Sequence, residues 1–512
     1  MIPNLSTQGS WDCLGSREIN LKVVFSHELA PVPTTMFDDS GNMRIIKSKS
    51  TMKRKLQVEQ SPRTLPVPDT TVLDGCAILW IIQWPKHGTV QDFVNNVLHY
   101  IFEKLEQSNV NVIFDRYYKY STKSATRMSR ASQIASRRHK LSTTTPLPAQ
   151  IVGLTVTENK TQLIEIICEQ LRQKGKTHRA INKHKLTITG PSPAPVEVFK
   201  GIAIERKDLE TTHEEADVII LQQVVAAANE GAKCIKVICN DTDVFLLLVH
   251  YYQECSLTCT VLMEGTSRMR MVVDIGATTK KHTGIAGQLL AAHAITGCDT
   301  VASLWGIGKA KALKVLSSGC QLQKLGDSTV PMDEIVQEAT CFVARCYRCT
   351  SMESMSSVRY SIWLGKTSKK KVTGATKLKS LPPTMEAFEL NVKRAHFQVC
   401  IWKAALEKHP PDKSPTDFGW EKDVSSETLS PTTLAEGVAL APEDILRMVR
   451  CGCSTDHPCS SGRCMCLTAQ MSCTVFCKCR GMDECLNKWT KMSTTEDDVV
   501  ESEDEDDNAP DD

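Results

Sequence analysis

Short apolar segments alternate with helical segments between about residues 70 and 320, and this alternation limits the fold more than any other pattern in the chain. Thr71-Val72-Leu73, Val110 to Phe114 and Ile235 to Cys239 have the length and composition of buried strands. From Asp217 to Ala228, apolar residues recur every three or four positions, as expected of a helix. Alternating strands and helices form a mainly parallel sheet with helices on its faces. We therefore predict an α/β fold for residues 67–330.

Changes in composition divide the rest of the 512 residues into five shorter regions. We predict an extended, loop-rich N-terminal segment with a basic run at 1–66, a helical region at 331–410, a linker at 411–440, a cysteine-rich domain at 441–490, and an acidic disordered tail at 491–512.

Neither a signal peptide nor a membrane span is expected. The first twenty residues lack the apolar core of a signal peptide, and the longest apolar run, Cys76 to Trp84, is too short to cross a bilayer. The basic triplet Lys53-Arg54-Lys55 could serve nuclear import, so we expect a nuclear protein.

The net charge of +2 conceals an uneven distribution. Eleven of the seventeen residues from Glu496 to Asp512 are acidic and none is basic, so residues 1–495 carry a formal charge of +13. A basic chain with one acidic tail suggests a polyanionic partner such as DNA, with the tail as a mask or competitor. A tail that only improves solubility is the alternative.

Each of the three predicted strands is followed by an aspartate. These residues are Asp74, Asp115 and Asp241, and Asp243 comes two positions after the last of them. In an open parallel sheet, ligands bind outside the carboxyl ends of the strands. Three further acids lie at the start of a helix or just before a helical region, namely Glu215, Asp217 and Asp299. We refer to these seven acids as the carboxylate cluster.

Each of these acids also has a purely structural explanation. Glu215 could form a capping box with Thr212, and Asp241, Asp243 or Asp299 could cap a helix. Nearby, His213 is expected at the surface. Taken together, however, seven acids at one edge would repel one another unless cations neutralised them. Oxygen ligands favour Mg²⁺ or Mn²⁺ over zinc, and paired ions of this kind support phosphodiester hydrolysis.

The order of these acids resembles that of the flap-endonuclease-like nucleases, the 5′-nuclease type of the PIN-like superfamily. That pattern reads here as Asp74, Asp115, Glu215-Ala216-Asp217, Asp241-Thr242-Asp243 and Gly297-Cys298-Asp299. The resemblance covers about half the chain. It implies a PIN-like, Rossmann-like fold and a structure-selective DNA nuclease whose two Mg²⁺ ions are held by the carboxylate cluster, directly or through water.

The chain departs from this family in two respects. About seventy residues precede Asp74, whereas the family usually begins at its first strand. In addition, no string typical of a sliding-clamp-binding motif is found, so replication flap processing has less support than nuclease chemistry.

Residues 116–150, here called the basic insertion, begin with eight lysines and arginines and no acid between Arg116 and Lys140. In a helix, Lys123, Arg127, Arg130 and Arg138 would share one face. The segment resembles the helical arch of the same nucleases, whose Lys and Arg clamp the scissile phosphate. Lys123 and Arg130 match those positions best. A solvated basic loop is the alternative.

A glycine-rich turn follows Asp299. The run from Gly306 to Ala312 resembles the helix-two-turn-helix of the same family, placed here at 295–320. In that motif, backbone N–H groups at a helix start hold a phosphate of duplex DNA. The resemblance implies DNA contacts by Gly306, Gly308, Lys309 and Lys311.

Nine of the 22 cysteines lie within 35 residues near the C-terminal end. Clustered cysteines without an export signal are more typical of metal ligands than of disulfides. Nine thiolates, three of them bridging, satisfy about three tetrahedral zinc ions. The nine, here called the cysteine cluster, are Cys451, Cys453, Cys459, Cys464, Cys466, Cys473, Cys477, Cys479 and Cys485.

The spacing of these cysteines resembles the tesmin-like CXC domain, a DNA-binding module with three zinc ions. Asn487, just after the last cysteine, also fits that family. Arg463 stands where the family often has Tyr, which affects DNA contact rather than the metal site. The pairing of the two domains resembles what mobile elements leave in animal genomes.

The sequence therefore predicts a nuclear, Mg²⁺- or Mn²⁺-dependent DNA nuclease joined to a zinc CXC module. One alternative is a non-enzymatic DNA or chromatin protein with a relic nuclease core. Another is a phosphatase with Asp241 as nucleophile and Asp243 as acid. In that phosphatase motif, Thr or Val usually stands where this chain has Phe245.

Overall fold

The computed structural model describes residues 20–46, 48–61, 65–132, 137–266, 271–349, 354–368 and 377–442, with the backbone only for 129–132. In the cysteine-rich region it describes 451–454, 457–461, 463–468, 473, 477–481 and 484–488. The strands are β1 (Glu59–Gln60), β2 (Thr70–Asp74), β3 (Asn109–Ile113), β4 (Leu186–Thr189), β5 (Val196–Phe199), β6 (Ile202–Glu205), β7 (Cys234–Ile238), β8 (Thr260–Glu264), β9 (Val272–Asp274), β10 (Trp420–Asp423) and β11 (Thr428–Pro431).

The helices within these ranges precede, connect and follow the strands. They are α1 (Leu21–Val24), α2 (Ser50–Leu56), α3 (Gly75–Ile81), α4 (Val90–Leu105), α5 (Ser124–Ser132), α6 (Gln150–Thr155), α7 (Thr157–Gly175), α8 (Ala216–Asn229), α9 (Thr242–Glu254), α10 (Ile275–Lys281), α11 (Thr283–Ala286), α12 (Leu289–Ile295), α13 (Lys309–Ser317), α14 (Met332–Cys346), α15 (Met355–Thr367), α16 (Met385–Lys403) and α17 (Met465–Thr468).

One sheet of nine strands, counted over the described residues, organises the chain. Its order is β1-β9-β8-β7-β2-β3-β4-β5-β6, and the five strands β8, β7, β2, β3 and β4 are parallel. Antiparallel pairs complete both edges. The predicted α/β fold with a mainly parallel sheet flanked by helices is confirmed, as are the three predicted strands and the predicted helix α8.

The two faces of the sheet carry separate apolar cores. Val72 packs in the core on one face, while the next residue, Leu73, packs in the core on the other face. Strands buried on both faces read as continuous apolar runs, which explains why they could be recognised in the sequence.

Helix α4 shows how the sequence sets a helix boundary. Thr89 and Asp92 form a reciprocal capping box at its start. Apolar residues such as Phe93, Val97 and Ile101 recur along one side of the helix and are fully buried. Their burial holds α4 against β3 in the core it shares with α3 and α7.

The N-terminal segment, expected to be extended, packs against the main domain. Met36, Phe37, Met52 and Leu56 belong to the larger apolar core, and β1 adds an edge strand beside β9. Residues 1–19 lie outside the described part of the chain. The part of the segment from Met36 to Gln60 therefore belongs to the α/β unit, whereas Val24, Phe25 and Leu29 pack with Leu381 and Trp363 of the helical region.

In the region predicted to be helical, 331–410, most of the described residues belong to α14, α15 and α16. The following region, expected to be a linker, contains the antiparallel hairpin β10–β11. Arg394 of α16, fully buried, donates hydrogen bonds of 2.9 Å to the carbonyls of Gly419 and Thr432 on either side of this hairpin. Contacts with a distant helix thus give the region its structure.

In the described part of the chain, no helix combines the length and apolarity needed to span a bilayer. The acidic tail predicted at 491–512 lies outside the described residues, as does much of the sequence between the cysteines.

Candidate active site and cysteine cluster

The sheet topology brings the strand-end acids together. Strands β7, β2 and β3 are neighbours and run in parallel. Asp74 ends β2, Asp115 follows β3, and Asp241 follows β7. Their carboxylates therefore lie along one edge of the sheet, where parallel folds bind ligands.

Three of these acids accept hydrogen bonds from backbone N–H groups at helix starts. Asp74 accepts from Ala77 N at 2.9 Å, and Asp241 accepts from Asp243 N at 2.8 Å. Asp115 accepts across the site, from Ala216 N at 3.1 Å. The partial positive charge of each helix start stabilises a carboxylate. Capping and ligand binding are thus compatible roles for the same side chains.

Gly75 makes the turn after Asp74 possible. A Cβ at this position would lie 2.5 Å from the ring of Phe114 and 2.7 Å from the carbonyl oxygen of Ile113. The close approach of α3 to β3 therefore requires glycine, and it keeps Asp74 near Asp115.

Lys49 contacts three acids of the carboxylate cluster, Asp241, Asp243 and Asp299, which we call the Asp241 half. Its Nζ is 3.1 Å from Asp241, 3.7 Å from Asp243 and 3.7 Å from Asp299. These carboxylates raise the pKa of Lys49 even though burial acts to lower it. The lysine comes from the segment before β2, to which the sequence assigned no part in the site.

Two further lysines contact other acids of the cluster. Lys123 Nζ lies 3.3 Å from Glu215 and 3.6 Å from Asp217, and Lys160 Nζ lies 3.6 Å from Asp115. All five side chains are at least two-thirds buried. The charges are therefore neutralised at short range in a poorly solvated setting.

The pKa directions follow this balance of burial and charge. Burial raises the pKa of Asp74 to about 6, and it also raises the pKa of Asp217 and Asp241, to which nearby acids contribute. For Asp115, burial opposes Lys160 and Lys123, which together hold its pKa low. For Asp243, burial opposes Lys49 and a hydrogen bond from His293, which lower its pKa.

His293 forms a hydrogen bond that orients Asp243. Its Nε2 lies 2.8 Å from Asp243 Oδ1, and the imidazole is fully buried in α12. Burial, together with Lys309, lowers the pKa of His293 to about 4, so the ring is neutral and donates its Nε2–H to the carboxylate. Asp243 is thereby fixed in one orientation.

The donor set fits hard divalent cations. All seven predicted ligands are carboxylates, which matches the oxygen preference of Mg²⁺ and Mn²⁺, and burial raises the pKa of the neighbouring Cys76 and Cys239 thiols. The residues that would hold such ions are Asp74, Asp115, Glu215, Asp217, Asp241, Asp243 and Asp299.

Part of the basic insertion reaches the site. Arg127 pairs with Glu214 at 2.7 Å and stacks over the ring of Tyr117 at 4.9 Å. Thr126 donates a 2.5 Å hydrogen bond to the backbone carbonyl of Asp299. The start of α5 is therefore tied to the carboxylate cluster.

The expected common face of this insertion is only partly realised. Helix α5 is described over Ser124–Ser132, whereas Arg138 lies in a non-helical segment and pairs with Glu158 at the surface. The side chain of Arg130 lies outside the described residues. Lys123 precedes the helix, and its ammonium is the group that contacts the carboxylates.

The turn after Asp299 differs from the expectation in one residue. Gly306 has φ of 76°, a left-handed conformation that favours glycine, and Gly308 caps the start of α13. Lys311 is exposed, which suits a phosphate contact. Lys309 is 1% exposed, and its Nζ donates to His293 O, Thr296 Oγ1 and Gly297 O. Because its ammonium is turned inward, Lys309 is not placed to meet DNA.

The expectation that His213 lies at the surface is wrong. The side chain is 2% exposed, and its Nε2 lies 3.1 Å from Glu407 O. Arg116, also buried, donates to five backbone carbonyls in the segments 190–193 and 211–213. Together these side chains hold the loops beside Asp115 and Glu215.

The cysteine cluster is assembled in the described residues. Three overlapping groups of four thiols have Sγ atoms within 4.8 Å of one another and could hold a metal ion. Seven Sγ pairs of the cluster lie 3.5–3.9 Å apart. Two sulfurs on one tetrahedral zinc are about 3.8 Å apart for Zn–S bonds of about 2.3 Å. The geometry therefore fits zinc.

Polar contacts surround these sulfurs. Asn487, fully buried, donates its Nδ2–H to Cys473 Sγ at 3.2 Å, and Leu467 N donates to Cys464 Sγ at 3.4 Å. Such donors stabilise thiolates and orient metal ligands.

Three residues of the site were not identified from the sequence. Lys49 lies four residues before the basic triplet that suggested nuclear import, and Lys160 is one charged residue among many on α7. His293 interrupts the apolar run of α12, and a polar group in a buried helix needs a partner. That interruption was the one usable signal.

No protein-family model matches the chain, and no curated protein matches it. Among solved structures, it is similar to the T5 D15 protein crystallised with metal ions, at 12% identity and a TM-score of 0.33, over 66% of this chain and 90% of that one. It is also similar to the catalytic core of Rad2 with DNA substrate, at 12% identity and a TM-score of 0.34, over 62% and 79% of the two chains. Similarities at this level do not establish a family or an activity.

Proposed function

We propose that the chain is a divalent-metal-dependent DNA nuclease of the structure-selective type, joined to a zinc CXC module that binds DNA. The observation that carries the proposal is the convergence of the seven acids of the carboxylate cluster from separate elements onto one sheet edge. The order of those acids along the chain, which resembles flap-endonuclease-like nucleases, supports DNA as the substrate.

The residues around the cluster have distinct proposed roles. The seven carboxylates hold two Mg²⁺ or Mn²⁺ ions, directly or through water. Once bound, the ions supply activation of a water and neutralisation of charge on the phosphate. Lys123 and Arg130 stabilise charge on the scissile phosphate. His293 keeps Asp243 oriented.

DNA contacts away from the reacting phosphate are assigned to residues that reach the surface or a helix start. We propose Arg127 and Arg138 in the basic insertion, and Gly306, Gly308 and Lys311 in the turn before and within α13. Lys309 is excluded because it is buried. Zinc in the cysteine cluster folds the second DNA-binding unit, and a nuclear location follows as part of the proposal.

Cleavage assays with two matched aspartate variants test the proposed nuclease. Labelled flap, nicked and hairpin DNA are incubated with the full chain, with and without Mg²⁺ or Mn²⁺. Asp74→Asn should reduce the rate by more than the 10- to 100-fold loss typical of outer-shell partners. The control is Asp274→Asn. Asp274 caps α10 by accepting a 2.9 Å hydrogen bond from Ala277 N, just as Asp74 accepts one from Ala77 N. Asp274, however, ends the antiparallel strand β9 and is not part of the carboxylate cluster.

The two outcomes separate the proposed function from its alternative. Normal cleavage by Asp74→Asn would refute the site assignment. A wild-type chain that retains DNA but cuts none of the substrates with either metal would instead support the non-enzymatic DNA-binding protein.

A further inference from the structure

Lys49 brings a positive charge to the Asp241 half of the carboxylate cluster. Its Nζ lies 3.1 Å and 3.2 Å from the two carboxylate oxygens of Asp241, and 3.7 Å from an oxygen of Asp243 and of Asp299. One ammonium thus faces three acids that the proposed function assigns to a divalent cation.

The fold holds this lysine in place from both sides. Helix α2 begins at the next residue and packs against α9 and α13, with Met52 and Leu56 buried beneath it. Upstream, the carbonyl of Arg44 accepts hydrogen bonds of 2.8 Å and 2.9 Å from Ser303. Downstream, β1 pairs with β9. The position of Lys49 is therefore built into the α/β unit.

An ammonium and a divalent ion cannot share these oxygens without cost. Divalent metals bind carboxylate oxygens at about 2.0–2.6 Å, so an ion among the three acids would come close to Lys49. Two positive charges at such a distance in a poorly solvated site repel strongly. Lys123 and Lys160 form their ion pairs with other acids of the cluster, namely Glu215, Asp217 and Asp115, whereas Lys49 forms ion pairs with Asp241, Asp243 and Asp299.

We propose that Lys49 competes with the divalent cation for the Asp241, Asp243 and Asp299 half of the site. The segment that precedes the parallel sheet then sets the metal affinity of this half, and a divalent ion must displace the ammonium to bind. This inference rests on the proposed function in assigning a metal to these acids. It adds a competitor supplied by the chain itself.

Metal titration of charge-matched variants tests the competition. Mn²⁺ is the probe, because it prefers oxygen ligands to thiolates and therefore reports on the carboxylates of the full chain. Calorimetry should show tighter Mn²⁺ binding by about tenfold or more for Lys49→Gln. Lys49→Arg should remain close to the wild type, since it keeps the charge.

The control is Lys55→Gln, which removes an exposed charge from the adjoining helix α2 and should change the affinity by less than about twofold. Thermal unfolding by circular dichroism verifies that each variant is folded. Equal or weaker Mn²⁺ binding by Lys49→Gln, with metal-dependent cleavage intact, would overturn the competition alone. Absence of Mn²⁺ binding in both the wild type and Lys49→Gln would overturn the competition and the metal site together.

Discussion

Lys309 is a buried lysine that stabilises the candidate active site without contacting the predicted metal ligands. Its three N–H groups match three acceptors at the end of α12, where helix carbonyls lack intrahelical partners. Burial lowers the pKa of this amine to about 7. One acceptor is the carbonyl of His293, whose ring donates to Asp243. Lys309 thus stabilises the element that orients a predicted metal ligand.

Lys309 and Lys311 should therefore have separable effects. Lys309→Met keeps the aliphatic stem but removes the donor that His293 O, Thr296 Oγ1 and Gly297 O share, so we expect a loss of unfolding free energy of about 1–3 kcal/mol. Lys311→Ala, at an exposed position, should leave stability unchanged and weaken DNA binding. Thermal melts and salt-dependent DNA titrations measure the two quantities. Weakened DNA binding by Lys309→Met at unchanged stability would contradict the inward role.

The sequence identified the acids of the site more readily than their partners. An aspartate after a buried strand is a local pattern, and parallel strands bring such residues to one edge. Lys49, Lys160 and His213 gave no local signal, because each is positioned by contacts with residues far away in the chain. For Lys309, a local glycine-rich motif suggested exposure, whereas tertiary packing turned the side chain inward.

At the scale of elements, the hairpin β10–β11 supports the basic insertion. Tyr120 N donates a 3.0 Å hydrogen bond to Glu427 O at the hairpin turn, and Lys119 pairs with the Glu427 carboxylate at 2.7 Å. Helix α5 packs against β11. The hairpin escaped prediction because its short strands lie in a Pro- and Ser-rich region, and Arg394 of α16 supplies their anchorage.

Loss of the Arg394 hydrogen bonds should therefore reduce the protection of the basic insertion against hydrogen exchange. Arg394→Met removes the donors to Gly419 O and Thr432 O, and it should increase hydrogen exchange first in 414–432 and then in 117–128. Lys393→Met is the control, since Lys393 is a neighbouring basic residue of α16 that is only partly buried. Faster exchange in the hairpin with unchanged protection around Tyr120 would show that the two elements are independent.

At the scale of the whole molecule, the sources of stability differ between the α/β unit and the cysteine cluster. The α/β unit buries two large apolar cores, one of which includes side chains from the N-terminal segment. The buried residues of the cluster are, in contrast, mainly the cysteines themselves. The first could be predicted from apolar periodicity and the second from cysteine spacing. Packing of Phe37 and helix α2 onto the α/β unit could not be predicted, because it depends on contacts distant in sequence.

Zinc binding should accordingly be separable from nuclease chemistry. Cys466 Sγ lies 3.5 Å from Cys477 Sγ, and the residue belongs to one of the four-thiol groups. We expect Cys466→Ser to lower the zinc content below the roughly three ions that nine thiolates can hold. Because thiolate–zinc bonds supply the folding free energy of such a unit, its DNA retention at raised salt should fall as well. Cleavage dependent on Mg²⁺ should persist, since the carboxylate cluster lies in the separately stabilised α/β unit.

Metal analysis, DNA retention and cleavage are measured on the full chain, with Cys341→Ser, outside the cluster, as the control. Unchanged zinc content would contradict the ligand assignment, and simultaneous loss of cleavage would show that the two units depend on each other.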